Sequence, residues 1–137
     1  MAVSEPRRAA SSFWRPGVAR VCLPAAALFF LTLVTVGNLP GLAAEMSATF
    51  GDKRLHLAAY AFLTVLIYAS VRRRPALTAL ATVTALGALD ETIQSFFAYR
   101  QADLLDLLAD ISAAGATVIS LNIGSAAFGS FRAVTKS

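Results

Sequence analysis

Cysteine, histidine and charged residues are scarce in this sequence. Cys22 is the single cysteine among 137 residues, so the chain can form no intramolecular disulfide. No serine or cysteine sits in a recognisable nucleophile motif. Charged residues make up 15% of the chain, against roughly 25% in ordinary globular proteins. Hydrophobic residues make up 57%, and the mean hydropathy is +0.65. A water-soluble domain of this length cannot bury so much apolar surface, so lipid must cover part of it.

The basic residues are placed as in a membrane protein. The net charge of +4 and the pI near 9.8 are compatible with nucleic-acid binding. Seven of the twelve Lys and Arg residues, however, flank apolar runs, which is typical of cytoplasmic loops. They are Arg7, Arg8, Arg15, Arg20 and the run 72–74. We therefore expect the lipid bilayer, and not nucleic acid, to be the partner of this chain.

Four segments are candidate membrane spans. A spanning helix needs about 20 largely apolar residues. The candidates are residues 21–37, 55–71, 76–97 and 103–131, which are joined by connections that contain Pro, Gly or Arg. The first run also has features of a cleavable signal peptide, with small residues at 42–44, although it is long for the hydrophobic region of one. We favour the uncleaved span, which gives four helices.

The distribution of basic residues predicts the orientation. Placing both termini and the turn at 72–74 in the cytoplasm puts nine basic residues inside and leaves three outside. The predicted fold class is an all-α integral membrane four-helix bundle with both ends in the cytoplasm (N-in/C-in). We divide it into a basic cytoplasmic N-terminal segment (1–20), a four-span membrane domain (21–131) and a cytoplasmic tail (132–137).

In this orientation, ionisable residues collect near the outer face. His56 begins the second span, and Glu91 lies roughly 6 Å below the outer boundary if the third span is a regular helix. Asp103, Asp106 and Asp110 recur at spacings of three and four and so share one face of the fourth helix. An ionised carboxylate within a span costs about 2.5 to 3.5 kcal/mol on insertion scales. Such residues normally face each other or a wet cavity, which predicts an outward-open polar pocket.

Further polar residues extend this pattern along two of the helices. Lys53, His56 and Tyr60 form one stripe of the second helix, and Gln94 is a neighbour of Glu91 on the third. Asp52 follows a glycine and is the predicted N-cap of the second helix. Three helices thus present polar stripes at the same predicted level.

The order and spacing of these blocks resemble the VanZ-like family of small bacterial membrane proteins, named for a member associated with teicoplanin resistance. The resemblance covers roughly residues 20–130 and departs from the family at Asp110, where asparagine is usual. It implies a multi-pass protein of the bacterial cytoplasmic (inner) membrane with a role in the cell envelope that can affect glycopeptide susceptibility. The signature polar positions that it implies are Asp52, Lys53, His56, Glu91, Gln94, Arg100, Asp103 and Asp106.

Candidate roles follow from the residue types. An unperturbed histidine titrates near neutral pH, so His56 is suited to act as a general acid or base beside Glu91 or Asp106. Lys53 and Arg100 are suited to hold a phosphate or carboxylate. A divalent metal could bind the same groups, but a single histidine makes that signal weak, and no cofactor is predicted. The candidate catalytic residues are His56, Glu91 and Asp106, and the candidate substrate-binding residues are Lys53, Gln94, Arg100, Asp103 and Asp110.

Three functions remain open at this point. The polar residues can serve a protein that binds or modifies an envelope lipid or lipid-linked cell-wall precursor, with or without enzymatic activity. They can also be a purely structural network that holds the helices together. The third reading is a proton-coupled carrier or an oligomerising assembly, which needs several copies because four short helices barely enclose a pathway.

Overall fold

The structure, a computed structural model, describes residues 16–100 and 102–134, with side chains described as far as residue 128. These residues form helices and no strands, so the predicted all-α class is confirmed for this part of the chain. Most of the predicted segment 1–20 and the end of the tail 132–137 lie outside the described residues. The helices are α1 (Pro16–Gly37), α2 (Leu42–Phe50), α3 (Asp52–Ser70), α4 (Pro75–Gln94) and α5 (Leu104–Val134).

Three of the described helices are long and apolar enough to cross a membrane. They are α1, α4 and the stretch Leu104–Phe128 of α5. Helix α3 corresponds to the predicted second span, but it is not among the helices that are long and apolar enough to cross a membrane. Its first turn carries three charges, on Asp52, Lys53 and Arg54, which lower its hydropathy. A membrane-spanning α3, and with it the four-span bundle, therefore remains a prediction, as does the N-in/C-in orientation.

The short helix α2 was not expected from the sequence. It occupies the predicted outer loop and lies between two glycines, Gly41 and Gly51, which both have φ of 84°. L-residues with side chains rarely adopt this backbone conformation, and glycine does so without strain. Gly51 is the N-cap of α3, so the prediction that Asp52 caps this helix is wrong. Asp52 is instead the first helical residue, and its Oδ1 accepts a hydrogen bond from Ser47 Oγ at 2.7 Å.

Helix α3 packs against α1, α4 and α5. Two hydrogen bonds join residues of α3 and α5 at the same separation of 54 positions, His56 with Asp110 and Tyr68 with Asn122. The two helices therefore run side by side in the same direction. Helix α4 runs the opposite way. Only residues 71–74 connect it to α3, and near its end Asp90 accepts a hydrogen bond from Tyr60 in the first half of α3.

The core contains large side chains of α3 and small ones of its neighbours. Tyr60 and Leu63 of α3 are fully buried, against residues such as Ala79 of α4 and Ala114 of α5. Small residues let helices approach closely, as is common between membrane helices. Helix α1 buries only Ala26 and exposes several leucines, as expected for a helix that faces lipid over most of its surface.

Candidate functional site

Polar side chains of three helices meet at one end of the fold. This end contains the start of α3, the end of α4 and the start of α5, whose side chains contact one another through hydrogen bonds. We call this group the polar cluster. Its buried members are His56, Asp90, Glu91, Gln94, Asp106 and Asp110, and its more accessible members are Asp52, Lys53, Arg100 and Asp103.

His56 and Asp110 form a buried contact in the polar cluster. The distance from His56 Nδ1 to Asp110 Oδ1 is 2.9 Å, and the Asp110 side chain has no exposed surface. An ionised carboxylate can only accept, so Nδ1 donates to it and Nε2 is left for another partner. The imidazole is also stacked on the ring of Tyr60, with centroids 5.9 Å apart. These contacts fix the orientation of the only histidine in the chain.

A glycine of α4 makes room for Asp110. A Cβ placed on Gly87 would lie 2.8 Å from Asp110 Oδ2 and 3.1 Å from Leu107 Cδ1, so α4 and α5 approach closely at this point. Asp110 Oδ2 is buried and has no hydrogen-bond partner. The carboxylate therefore lies between His56 on one side and the bare backbone of Gly87 on the other.

Lys53 joins α3 to the beginning of α5. Its Nζ lies 3.2 Å from Asp103 Oδ2 and 3.1 Å from Asp106 Oδ1, and half of its side chain is exposed. The other oxygen of Asp103 accepts the N–H of Leu105 at 2.8 Å, as in a helix N-cap. These bonds, first to Leu105 and then to Lys53, hold the pKa of the Asp103 carboxyl below its usual value. Lys53 and Asp103 are thus already paired with other groups of the protein.

Glu91 and Arg100 each have one buried polar atom without a partner. Glu91 Oε2 accepts the N–H of Asp103 at 2.7 Å, whereas Oε1 has no hydrogen-bond partner. Arg100 donates from Nη2 to Gln94 Oε1 at 2.8 Å, whereas its Nε is unpaired. Buried polar atoms are normally paired with protein or water, so these two atoms can each take an additional hydrogen-bond partner.

A cavity of about 470 Å³ opens beside the polar cluster, between α1, α2 and α3. A volume of this size is ordinary for small-molecule sites. Its walls are mostly apolar and include Phe29, Leu33 and Val36 of α1 and Phe62 of α3. The polar part of its lining comes from Asp52, His56, Asp90, Gln94 and Arg100. The cavity is therefore amphipathic, with a long apolar wall and a polar end.

The sequence-predicted residues divide between the cavity and its surroundings. His56, Gln94 and Arg100 line the cavity. The remaining predicted residues are members of the polar cluster but do not line it. They are Lys53, Glu91, Asp103, Asp106 and Asp110.

The predicted site residues omitted Asp52, Tyr60 and Asp90, which all line the cavity. Tyr60 donates its hydroxyl to Asp90 Oδ2 at 3.2 Å, and both side chains are buried. Helical spacing was the signal that could have found the last two. Tyr60 lies four residues after His56, and Asp90 lies four residues before Gln94, so each shares a face with a predicted site residue.

The polar cluster is rich in acid. It contains six carboxylates against three basic side chains, Lys53, His56 and Arg100; the acids are Asp52, Asp90, Glu91, Asp103, Asp106 and Asp110. Lys53 is already bonded to two of these acids. Such a site favours a cation, or an anion accompanied by a cation, over a bare anion.

Comparison of the chain with protein-family models, with curated proteins and with solved structures found no match. The VanZ-like resemblance therefore rests on the sequence blocks alone.

Proposed function

We propose that this chain is a multi-pass protein of the bacterial cytoplasmic membrane that binds an envelope lipid or a lipid-linked cell-wall precursor. The observation that carries the proposal is the amphipathic cavity. An acyl or prenyl chain fits along Phe29 and Leu33 of α1 and Phe62 of α3, and a polar headgroup fits beside His56 and Arg100. The ligand class follows from this combination, because a wholly polar solute would leave the apolar wall exposed to water.

The proposed topology has four spans, which are α1, α3, α4 and α5. The polar residues His56, Thr64 and Tyr68 of α3 are buried against the neighbouring helices. The surface of α3 that faces outward is therefore less polar than the helix as a whole. Its charged first turn then lies at the interface, where Lys53 and Arg54 reach water. The excess of basic residues at the opposite ends of the helices favours an outer position for the polar cluster.

The unpaired atoms of the polar cluster support a ligand site over a purely structural network. If these side chains only held the helices together, we would expect their buried polar atoms to be hydrogen-bonded to one another, since an unpaired buried polar group is costly. Here Glu91 Oε1, Asp110 Oδ2 and Arg100 Nε are buried without partners in the described part of the chain. The VanZ-like resemblance adds a proposed role in the cell envelope and in glycopeptide susceptibility.

Lipid retention tests this proposal. Leu33 lines the cavity, whereas Leu31 lies on the same helix with 64% of its surface exposed. The Leu33→Trp substitution fills the cavity, and the matched Leu31→Trp substitution adds the same bulk outside it. After purification in mild detergent, the lipid retained per protein is measured by mass spectrometry. We expect a several-fold loss for Leu33→Trp alone. Equal retention in the two variants would contradict the proposal.

A further inference from the structure

Three potential metal ligands face one another at the polar end of the cavity. Asp52 and His56 lie four residues apart on α3, and Asp106 comes from the first turn of α5. Each residue offers one ligand atom, and these atoms all lie within 4.8 Å of one another. Two of the three residues, Asp52 and His56, also line the cavity. A ligand that enters the cavity therefore reaches them directly.

Each of these three side chains is held in place by a neighbouring residue. Asp110 engages His56 Nδ1, which leaves Nε2 for a cation. Histidines that bind metals commonly donate their other ring N–H to a carboxylate in this way, which fixes the tautomer and the ring orientation. Ser47 donates to Asp52 Oδ1 and Lys53 donates to Asp106 Oδ1, and the Asp52 and Asp106 side chains also contact each other.

A separate observation is the unpaired oxygen of Glu91. Its Oε1 is buried and has no hydrogen-bond partner, and only 8% of the residue is exposed. The sister oxygen Oε2 binds the N–H of Asp103, one turn before Asp106. Glu91 also lies within electrostatic range of both His56 and Asp106. A buried carboxylate oxygen without a donor, on a side chain that interacts electrostatically with two of the three potential ligands, favours a cation as an additional partner.

We infer that Asp52, His56 and Asp106 bind a divalent cation at the polar end of the cavity. The acid excess of the polar cluster favours a positive ion. Imidazole with carboxylates suits Mn²⁺ or Zn²⁺, whereas Mg²⁺ and Ca²⁺ prefer oxygen ligands alone. Three protein ligands leave coordination positions open to an exogenous oxygen. If the proposed lipid binding holds, that oxygen belongs to a phosphate of the headgroup, and the cation resolves how an acidic site accepts an anionic lipid.

Mn²⁺ binding tests this inference without any lipid. The purified full chain in detergent is titrated with Mn²⁺, and free Mn²⁺ is followed by electron paramagnetic resonance. We expect one saturable site per chain and at least about tenfold weaker binding in Asp52→Asn and His56→Gln. Asp52→Asn is the cleaner variant, because asparagine still accepts the hydrogen bond from Ser47. Glu45→Gln, which removes an exposed carboxylate of α2, serves as the charge-matched control and should bind like wild type.

Two results would overturn the cation site. One is the absence of saturable Mn²⁺ binding together with the absence of Zn²⁺ binding by isothermal titration calorimetry. The other is wild-type affinity in Asp52→Asn, with helical circular dichroism confirming that the variant is folded. The lipid proposal is tested separately by the Leu33→Trp and Leu31→Trp pair. Mn²⁺ binding with unaltered lipid retention in Leu33→Trp would preserve the cation site and refute the lipid proposal. Loss of lipid in Leu33→Trp without any Mn²⁺ or Zn²⁺ binding would preserve the lipid proposal and refute the cation site.

Discussion

Gly87 provides a sharp test of the packing around the polar cluster. In Gly87→Ala, the new Cβ would lie 2.8 Å from Asp110 Oδ2, which is closer than real Cβ contacts allow. Asp110 cannot simply rotate away, because its other oxygen is held by His56 at 2.9 Å. Either α4 and α5 move apart, or the His56–Asp110 contact breaks.

The size of the effect follows from opposing contributions. Replacing glycine by alanine within a helix favours the folded state by up to about 1 kcal/mol. Overpacking costs about 1–3 kcal/mol, and loss of a hydrogen bond to a charged group costs about 1.5–3 kcal/mol. We therefore expect Gly87→Ala to lower the free energy of unfolding by about 1–2 kcal/mol. Gly115→Ala is the matched control, since a Cβ at that position meets nothing within 4 Å.

Thermal unfolding in detergent measures this difference. We expect a lower Tm for Gly87→Ala and an unchanged or higher Tm for Gly115→Ala. A double-mutant cycle with Asp110→Ala then locates the clash, because Gly87→Ala should cost less once the Asp110 carboxylate is gone. A Gly87→Ala protein that melts at or above the wild-type Tm would refute the close packing of α4 on Asp110.

Two further predictions concern the charge on Asp103 and the topology. Asp103→Asn keeps an acceptor for the Leu105 N–H but loses the attraction to Lys53. Because the pKa of Asp103 is lowered in the folded state, its charge contributes stability above the unfolded value of about 3.9, and this contribution is lost as the pH falls through the folded pKa. We therefore expect a small Tm difference between wild type and Asp103→Asn at pH 7, which shrinks as the pH is lowered below about 3.9. A Tm difference that does not change with pH would contradict this prediction. For the topology, green fluorescent protein fused after Ser137 should fluoresce, because the C-terminus is predicted to be cytoplasmic. Alkaline phosphatase inserted between α1 and α2 should be active, because this connection is predicted to be outside. A dark C-terminal fusion would exclude the N-in/C-in arrangement.

The sequence predicts the long helices well because their apolar runs are bounded by charge, proline or glycine. The end of the first run at Gly37 and the proline start of α4 are examples. The short helix α2 is different. Its nine residues are too few to form an apolar run of spanning length, and its bounds depend on two glycines with positive φ, which the sequence alone does not reveal.

The candidate site is predictable in its members but not in its geometry. A spacing of four residues places His56 and Tyr60 on one face of α3, and Asp106 and Asp110 on one face of α5. The pairing between helices depends on how the helices are rotated against each other. Asp90 and Glu91 are adjacent in sequence yet bond to different partners, the Tyr60 hydroxyl and the Asp103 backbone.

The cavity lies beyond reach of sequence analysis for the same reason. Its apolar wall comes from α1 and α3, and residues such as Phe29 and Leu33 look like any others in an apolar run. Only the packing of α1 against α3 separates them from the neighbouring Leu28 and Leu31, which are more than half exposed.

Photocrosslinking tests the central claim most directly. A phospholipid that carries a diazirine near the end of its acyl chain is incorporated with the protein into nanodiscs, illuminated, and the crosslinked residues are identified by mass spectrometry. We predict attachment at Phe29 and Leu33, and suppression of this attachment by excess unlabelled lipid and by Leu33→Trp. Attachment confined to the exposed Leu28 and Leu31, with no signal from the cavity wall, would contradict it.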